Sequence, residues 1–273
     1  MAENRKVAIV TGGASGIGRA ICNELVSHNI FVIITDINKS EGKLFEGELN
    51  KKGITSRYVF LDVTEFKSVK LVITNVYEEF GRLDYLFNNA GIAMYGELYD
   101  MSIENWKEIM DINLWGVIHG TQIGYNLMKK QGFGFIVNTA SAAGLGPSPI
   151  SAAYSTTKHA VIGLTTSLHY EAENFGIKVS TLCPTFVNTP VFKNAKAVNM
   201  DKTIMTKQMK KQKMMSPEKL AKITIDGIHQ NKLIICPMPM RKTMEIIFTL
   251  FPVAHRKLMR LVCKVGRKAH IEQ

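Results

Sequence analysis

Cysteine is scarce and scattered: Cys22, Cys183, Cys236 and Cys263 are the only four in 273 residues, no two form a CxxC pair, and most sit within apolar runs where a thiol packs as a small hydrophobe. That usage fits a reducing compartment. No His/Cys/Asp cluster has metal-ligand spacing, so no metal site is expected. Long apolar runs are also missing. None approaches the ~18 residues of a membrane span, and the chain enters an apolar strand after a few polar residues, with no signal-peptide core or cleavage site. A soluble, cytoplasmic protein is expected. No repeat of solenoid period and no low-complexity linker divides the chain, and no recognised motif or basic-aromatic interleaving points to nucleic acid.

What is present is the composition of one large folded core, with 46% hydrophobic and 21% charged residues. The net charge of +11 is lodged in the last third. Residues 1–190 carry 16 Lys and Arg against 18 Asp and Glu, whereas residues 191–273 carry 18 against 5. A basic surface of this kind attracts phosphates or anionic lipid, or serves only to solubilise.

Short apolar runs at Val7 to Thr11, Phe31 to Asp36, Arg57 to Asp62, Leu83 to Asn88, Gly134 to Asn138, Lys178 to Cys183 and Lys232 to Cys236 read as buried strands. Between them, Gly18 to Ser27, Phe66 to Phe80, Trp106 to Lys129 and Ala152 to Phe175 carry apolar residues near helical spacing. Regular alternation of strand and helix needs right-handed crossovers. It predicts an α/β fold of Rossmann type, a doubly wound parallel sheet of about seven strands in a single domain. Residues 1–240 form that domain, and residues 241–273 form a basic amphipathic helical extension.

After the first strand comes Thr11-Gly12-Gly13-Ala14-Ser15-Gly16-Ile17-Gly18, which opens a helix. Its spacing is Gly-x3-Gly-x-Gly rather than G-x-G-x-x-G. The glycines permit a tight turn, let backbone N–H groups approach a pyrophosphate and bring the helix close to the strand, with the helix N-terminus facing the phosphates. Asp36 closes the second strand 18 residues after Gly18, where a carboxylate accepts from ribose hydroxyls and repels a 2′-phosphate. Ile37 follows it and supplies no cation, so NAD is preferred to NADP.

Tyr154 and Lys158 stand at i and i+4, one above the other on a helix. A cation beside a phenol favours the phenolate and makes the pair suited to general acid–base work. Taken alone, the pair also occurs by chance on solvated helices. Its company is Asn138-Thr139-Ala140-Ser141, which follows the fifth strand and delivers a hydroxyl to the ligand-binding edge of the sheet, thirteen residues before Tyr154.

With these motifs in order, residues 5–240 resemble the short-chain dehydrogenase/reductase family in its classical form. The resemblance implies that Thr11, Gly12, Ser15, Gly16, Ile17 and Gly18 form the cofactor loop and that Asp36 binds the NAD ribose. It places Asp62 and Val63 near the adenine, and Asn89, Ala90 and Gly91, after Asn88, in the turn lining the adenosine side. Pro184, Val187 and Thr189 would lie at the nicotinamide. Asn113, Ser141, Tyr154 and Lys158 would be catalytic: Ser141 orients the substrate oxygen, Tyr154 exchanges its proton, Lys158 binds the nicotinamide ribose and lowers the tyrosine pKa, and Asn113 holds a relay water. Thr185, where the family usually has glycine, is a departure that bears on the cofactor's pose. A homodimer or homotetramer through the helices containing Asn113 and Tyr154 is implied as well.

The long connection Asn188 to Met215, with Met200, Met205, Met209, Met214 and Met215, is either an adaptable lid over an apolar substrate or a loop whose methionines pack on the body. In the tail, Ile247, Leu250, Phe251, Ala254, Leu258, Leu261, Val262 and Val265 recur at helical spacing, with Arg256, Lys257, Arg260, Lys264, Arg267 and Lys268 on the remainder and a kink expected at Pro252. Such a helix can contact a membrane peripherally, its own domain or a neighbouring subunit. His169 and His255 have no evident partner and are read as structural. The leading function is hydride transfer between nicotinamide and the carbinol or carbonyl carbon of an apolar alcohol or ketone of steroid, retinoid-like or fatty-chain type. The rival is a non-catalytic NAD-binding sensor or scaffold with a membrane- or partner-binding basic tail.

Overall fold

The computed structural model describes residues 5–51, 56–209, 212–238 and 241–271. In chain order its elements are β1 (Val7–Thr11), α1 (Gly16–Ser27), β2 (Phe31–Asp36), α2 (Lys39–Lys51), β3 (Ser56–Phe60), α3 (Phe66–Phe80), β4 (Tyr85–Asn88), β5 (Met94–Tyr95), α4 (Ile103–Met110), a π-helical turn (Asp111–Trp115), α5 (Gly116–Gln131), β6 (Gly134–Thr139), α6 (Ala152–Glu173), β7 (Ile177–Leu182), α7 (Pro190–Lys193), β8 (Lys196–Ala197), α8 (Lys202–Met209), α9 (Pro217–His229), β9 (Ile234–Ile235), α10 (Arg241–Leu250) and α11 (Pro252–Arg267). The seven expected strands form one sheet in the order β3-β2-β1-β4-β6-β7-β9, and every pairing in it is parallel.

Strand periodicity divides the core between the two faces of this sheet. Ala8 and Val10 of β1 join Ala20, Ile21 and Leu25 of α1, Phe45 and Leu49 of α2, and Leu220 and Ile225 of α9. Val7 and Ile9 point the other way, onto Val69 and Ile73 of α3, Ile123 of α5 and Leu168 of α6. A strand buried on both sides cannot alternate polar and apolar residues, which is why β1 reads as an unbroken apolar run. Each such Ile or Leu, fully buried, contributes about 1.5–3 kcal/mol.

Helix α5 lies close against the sheet because its facing positions are glycines. A side chain at Gly116, Gly120 or Gly124 would stand 2.7 Å from Val63, 2.0 Å from Asn88 or 2.3 Å from Leu86. Beneath it, Asn88 Nδ2 donates to Asn138 Oδ1 at 2.8 Å and to the Thr121 hydroxyl at 3.1 Å, and Asn138 Nδ2 donates to the Thr165 hydroxyl at 3.1 Å. This chain of polar groups joins β4, β6, α5 and α6 inside the core.

Several local details differ from the sequence reading. The single helix expected from Trp106 to Lys129 is two helices separated by the π-helical turn. The connection Asn188 to Met215 contains α7, β8 and α8, and β8 pairs with β5 in a separate two-stranded sheet. Residues 210 and 211 of that connection, and residue 240 at the expected end of the main domain, lie outside the described residues. At Pro252 the tail does not kink; α10 ends at Leu250 and α11 begins afresh, with Pro252 in its first turn where the missing N–H costs nothing. His169 is buried and its Nδ1 meets the Val179 carbonyl at 2.7 Å, while His255 stacks on Phe248.

Candidate active site

The strand order reverses between β1 and β4, and at such a switch point the loops leaving the strands diverge and leave a crevice. A cavity of about 800 Å³ opens there. Its wall is built from the segments that follow the sheet strands: Gly12 and Ser15 to Ile17 after β1, Asp36 at the end of β2, Leu61 to Thr64 after β3, Asn89 to Ile92 after β4, Thr139 to Ala143 at and after the end of β6, and Pro184 to Val187 after β7.

At one end, Gly12 and Gly16 have φ of +62° and +51°, a left-handed backbone that glycine adopts without strain. Gly18 packs the start of α1 onto this turn, since a methyl group there would stand 2.1 Å from the Gly12 carbonyl oxygen. Ser15 is the N-cap of α1 but makes no side-chain capping bond, so the first-turn N–H groups retain capacity for an anion. Thr11 and Gly18, expected among the cofactor contacts, are buried and do not line the cavity. The Thr11 hydroxyl instead accepts from the N–H groups of Asn89 at 2.9 Å and Ala90 at 3.0 Å and donates to the Phe87 carbonyl at 3.3 Å. It fastens the turn after β4 to β1. Asn89 adds a bond from Nδ2 to the Thr11 carbonyl at 3.0 Å.

Asp36 lines the cavity with its carboxylate held by two backbone donors, Ala14 N–H at 3.1 Å and Asn38 N–H at 3.0 Å. Asp62 accepts from the Thr64 N–H at 2.9 Å and hydroxyl at 2.8 Å, which turns the chain so that Val63 lines the wall. Arg19, near the glycine turn, stacks over Phe45 at 4.3 Å and pairs with Glu48. Against Gly16, where an added methyl group would stand 3.2 Å from the Thr189 Cβ, Thr189 Oγ1 is buried and has no partner among the described residues. A buried hydroxyl left unpaired costs about 1–3 kcal/mol, so this position suits a polar ligand group. Left-handed glycines, uncapped amides, a fixed carboxylate and an orphaned hydroxyl together fit a dinucleotide.

Ser141, Tyr154 and Lys158 line the same cavity. Ser141 caps a short 3-10 turn, its Oγ accepting from the Ala143 N–H at 3.2 Å. Tyr154 lies in the first turn of α6, and Lys158 follows one turn later. The lysine Nζ donates to the Thr139 carbonyl at 3.0 Å and lies 5.7 Å from the Tyr154 ring centre. Desolvation governs both ionisable groups. Burial pushes the Tyr154 phenol up, opposed by its hydrogen bond with Ser141, and pushes the Lys158 amine down to about 8. The sequence reading expected the lysine to lower the phenol; in the structure burial is the larger effect and Ser141 the group that opposes it.

Asn113 sits in the π-helical turn, fully buried and outside the cavity lining. Its Oδ1 accepts from the Ile92 N–H at 2.8 Å and its Nδ2 donates to the Ile92 carbonyl at 2.9 Å. The side chain thus pins the segment after β4. A side chain at Gly91 would stand 3.0 Å from Asn113 Oδ1 and 3.5 Å from Lys158 Nζ, so this glycine brings the asparagine and the lysine close together.

The remaining wall includes Val191 and Asn194, from the segment expected as a lid, and residues that sequence reasoning did not single out: Ala93, Tyr95, Pro147, Pro149, Phe186 and Met238, with Ser148. Met238 follows β9, so its place after a strand end was a usable signal. Tyr95 belongs to a two-residue strand and carried none. Met200, Met205, Met214 and Met215 do not line the cavity; Met200 is buried and Met215 packs on the core beside α1 and α9. The side chain of Met209 lies outside the described residues.

A short chain dehydrogenase family model matches residues 6–199. The chain is 35% identical over 222 residues to the Mus musculus protein named 15-hydroxyprostaglandin dehydrogenase [NAD(+)], covering 78% of this chain and 80% of that one. It is 38% identical over 186 residues to the 3-alpha-(or 20-beta)-hydroxysteroid dehydrogenase of Mycobacterium bovis, covering 68% and 70%. Among solved structures, a short chain dehydrogenase/reductase from Burkholderia phymatum in complex with NAD superposes with a TM-score of 0.81 at 27% identity, covering 96% of both chains.

Proposed function

Because the chain belongs to the short-chain dehydrogenase/reductase family, we propose that it transfers a hydride between NAD and the carbinol or carbonyl carbon of an apolar alcohol or ketone, of steroid, retinoid-like or fatty-chain type. The observation that carries this reading is a single cavity lined both by Asp36 and by Ser141, Tyr154 and Lys158.

NAD, when bound, supplies the hydride-accepting ring. Gly12, Ser15, Gly16 and Ile17 hold its pyrophosphate at the start of α1, Asp36 accepts from the adenosine ribose hydroxyls, and Asp62, Val63, Asn89, Ala90 and Gly91 border the adenosine side. Pro184, Val187 and Thr189 border the nicotinamide. Thr11 and Gly18 act through the turn they hold in place. Preference for NAD over NADP follows from Asp36, which repels a 2′-phosphate, and from Arg19, whose guanidinium is engaged by Glu48 and Phe45.

Ser141 Oγ and Tyr154 Oη receive the substrate oxygen between them. In ketone reduction the phenol of Tyr154 gives its proton to the substrate oxygen; in alcohol oxidation the Tyr154 oxygen takes the hydroxyl proton, a transfer that the burial favouring the neutral phenol assists. Lys158, whose amine burial brings down to about 8, is the ionisable group beside that phenol. Asn113 positions the segment after β4 beside that lysine. The walls from Ala93, Tyr95, Pro147, Pro149, Phe186, Val191 and Met238 exclude water and match an apolar body, a reading that the named substrates of the hydroxyprostaglandin and hydroxysteroid relatives support. The protein acts in the cytoplasm as a homodimer or homotetramer through α5 and α6, near which Trp115 and Tyr170 are exposed.

The test is NADH formation and consumption across secondary alcohols, hydroxysteroids, long-chain alcohols and their ketones, with NADP(H) run in parallel. Turnover with NAD and an apolar alcohol is expected. Preference for NADP would overturn the role of Asp36, and tight NAD binding without turnover of any substrate would favour a sensor.

A further inference from the structure

Helix α11 turns the wrong face to the protein for a helix that merely packs on its own domain. Its half-buried residues are His255, Met259, Cys263 and Gly266, at i, i+4, i+8 and i+11. The apolar stripe lies beside them in the open: Leu258, Leu261, Val262 and Val265 are 41%, 57%, 42% and 41% exposed. Ile247, Leu250 and Phe251 of α10 and the junction prolong this exposed stretch. Exposed apolar residues in this number on two successive helices mark an interaction site.

The charges select the partner. Between Pro252 and Arg267 there is no acidic residue, and Arg256, Lys257, Arg260 and Lys264 are all exposed on the flank of the stripe. An isologous contact with a second copy would bring these cations against their own equivalents, a like-charge juxtaposition that opposes association. An anionic lipid surface satisfies both faces, burying the stripe at the headgroup boundary while the long basic side chains reach the phosphates. Among the described residues no helix is long and apolar enough to cross a membrane, so the contact is a surface one.

The end of α11 is also fastened to segments that adjoin the lining of the substrate cavity. Arg267 pairs with Glu97, and His270 Nε2 lies 2.9 Å from both Asp100 Oδ2 and the Tyr99 hydroxyl. Asp201 N–H donates to the Ala269 carbonyl at 2.7 Å, and Ile271 N–H to the Asn199 carbonyl at 2.9 Å. These contacts fall just beyond β5 and β8. Gly266 lies against Ile150, and Ile150 is flanked by the cavity-lining Pro149 and Ser151.

We propose that α10 and α11 dock the protein on an anionic bilayer and hold the substrate cavity next to it, so that apolar substrate enters from the membrane. Docking stands on the tail alone; entry from the membrane rests on the apolar-substrate reading above.

The experiment is co-sedimentation of the full-length, NAD-loaded protein with phosphatidylcholine vesicles, with and without a one-third share of phosphatidylserine. Each basic residue near an anionic surface is worth about 1 kcal/mol, so K257E/R260E/K264E should weaken binding to the anionic vesicles by at least ~100-fold, and added salt should weaken the native protein's binding. L261Q/V262Q should weaken it as well. Both variants should keep the native turnover of a short water-soluble alcohol and the native sedimentation coefficient. Equal binding to both vesicle types overturns the proposal, as does a fall in oligomer size in L261Q/V262Q, which would make the face a contact between copies. Vesicle binding is read without turnover, so it tests docking even if the protein oxidises no alcohol. Native binding with no effect of vesicles on the apparent KM for a long-chain alcohol overturns entry from the membrane and leaves docking standing.

Discussion

Lys158 donates to the carbonyl of Thr139, the last residue of β6, at 3.0 Å, and does so from a position where burial pushes its amine down to about 8. The folded value lies below the ordinary 10.5, so between those two pH values the unfolded chain holds a proton that the folded chain has released. Stability therefore rises with pH across that window, and the cost of the buried ammonium is fully present below it. Urea unfolding of the cofactor-free protein should show the native chain gaining on K158M as pH is raised from about 8 toward about 10.5. A pH-independent difference between the two would show that the ammonium is not desolvated.

Replacing Tyr154 by Phe removes the proton-exchanging hydroxyl and leaves the ring. Turnover should fall by about 10²–10⁴-fold, while NADH binding, followed by its fluorescence, stays close to native. Unchanged turnover would remove Tyr154 from the proton transfer.

Asp36→Ala takes away an acceptor for ribose hydroxyls and a repulsive charge together. A hydrogen bond to a charged group is worth about 1.5–3 kcal/mol, so the KM for NAD should rise roughly 10- to 100-fold while that for NADP falls or holds. The ratio of kcat/KM for the two cofactors reads the result directly, and an unchanged ratio contradicts the assignment.

Thr11→Val should behave as a structural lesion. It removes the acceptor for Asn89 and Ala90 N–H and the donor to Phe87, with an expected loss of about 1–3 kcal/mol in stability. NAD affinity should drop because the turn after β4 loosens. Thermal unfolding with and without NAD separates the two effects; weaker NAD binding at native stability would make Thr11 a direct cofactor contact instead.

The sheet was legible because its strands are unusually apolar. β1 and β2 begin and end where the sequence places them, and the others shift by a few residues at their ends, as β3 does in stopping at Phe60 when Leu61 and Asp62 turn into the cavity wall. The glycine turn, Asp36, Ser141, Tyr154 and Lys158 were legible because each chemical type sits at a strand end or a helix start, where local spacing determines position. Helix α2 went unnoticed because its buried positions are only Gly42, Phe45 and Leu49, too thin a stripe among charges. The pairing of β5 with β8 joins residues about a hundred positions apart and has no local signature. The separation of the lid methionines from the cavity was equally hidden, since composition describes a segment and not the direction its side chains take. The burial that raises Tyr154 is likewise a property of the assembled core.

The π-helical turn at Asp111–Trp115 bears on which length changes this chain can accept. A π turn holds one residue more than the same stretch of α-helix, so deleting one residue within it would draw Asp111–Trp115 back into plain α-helix and remove the bulge that sets Asn113 apart from the helix face carrying Gly116, Gly120 and Gly124. Asn113 would lose its reach to Ile92 in the same stroke. In a lineage of such chains, insertions and deletions should therefore accumulate in the connections to either side of these helices, while the number of residues from Asn113 to Gly124 stays constant.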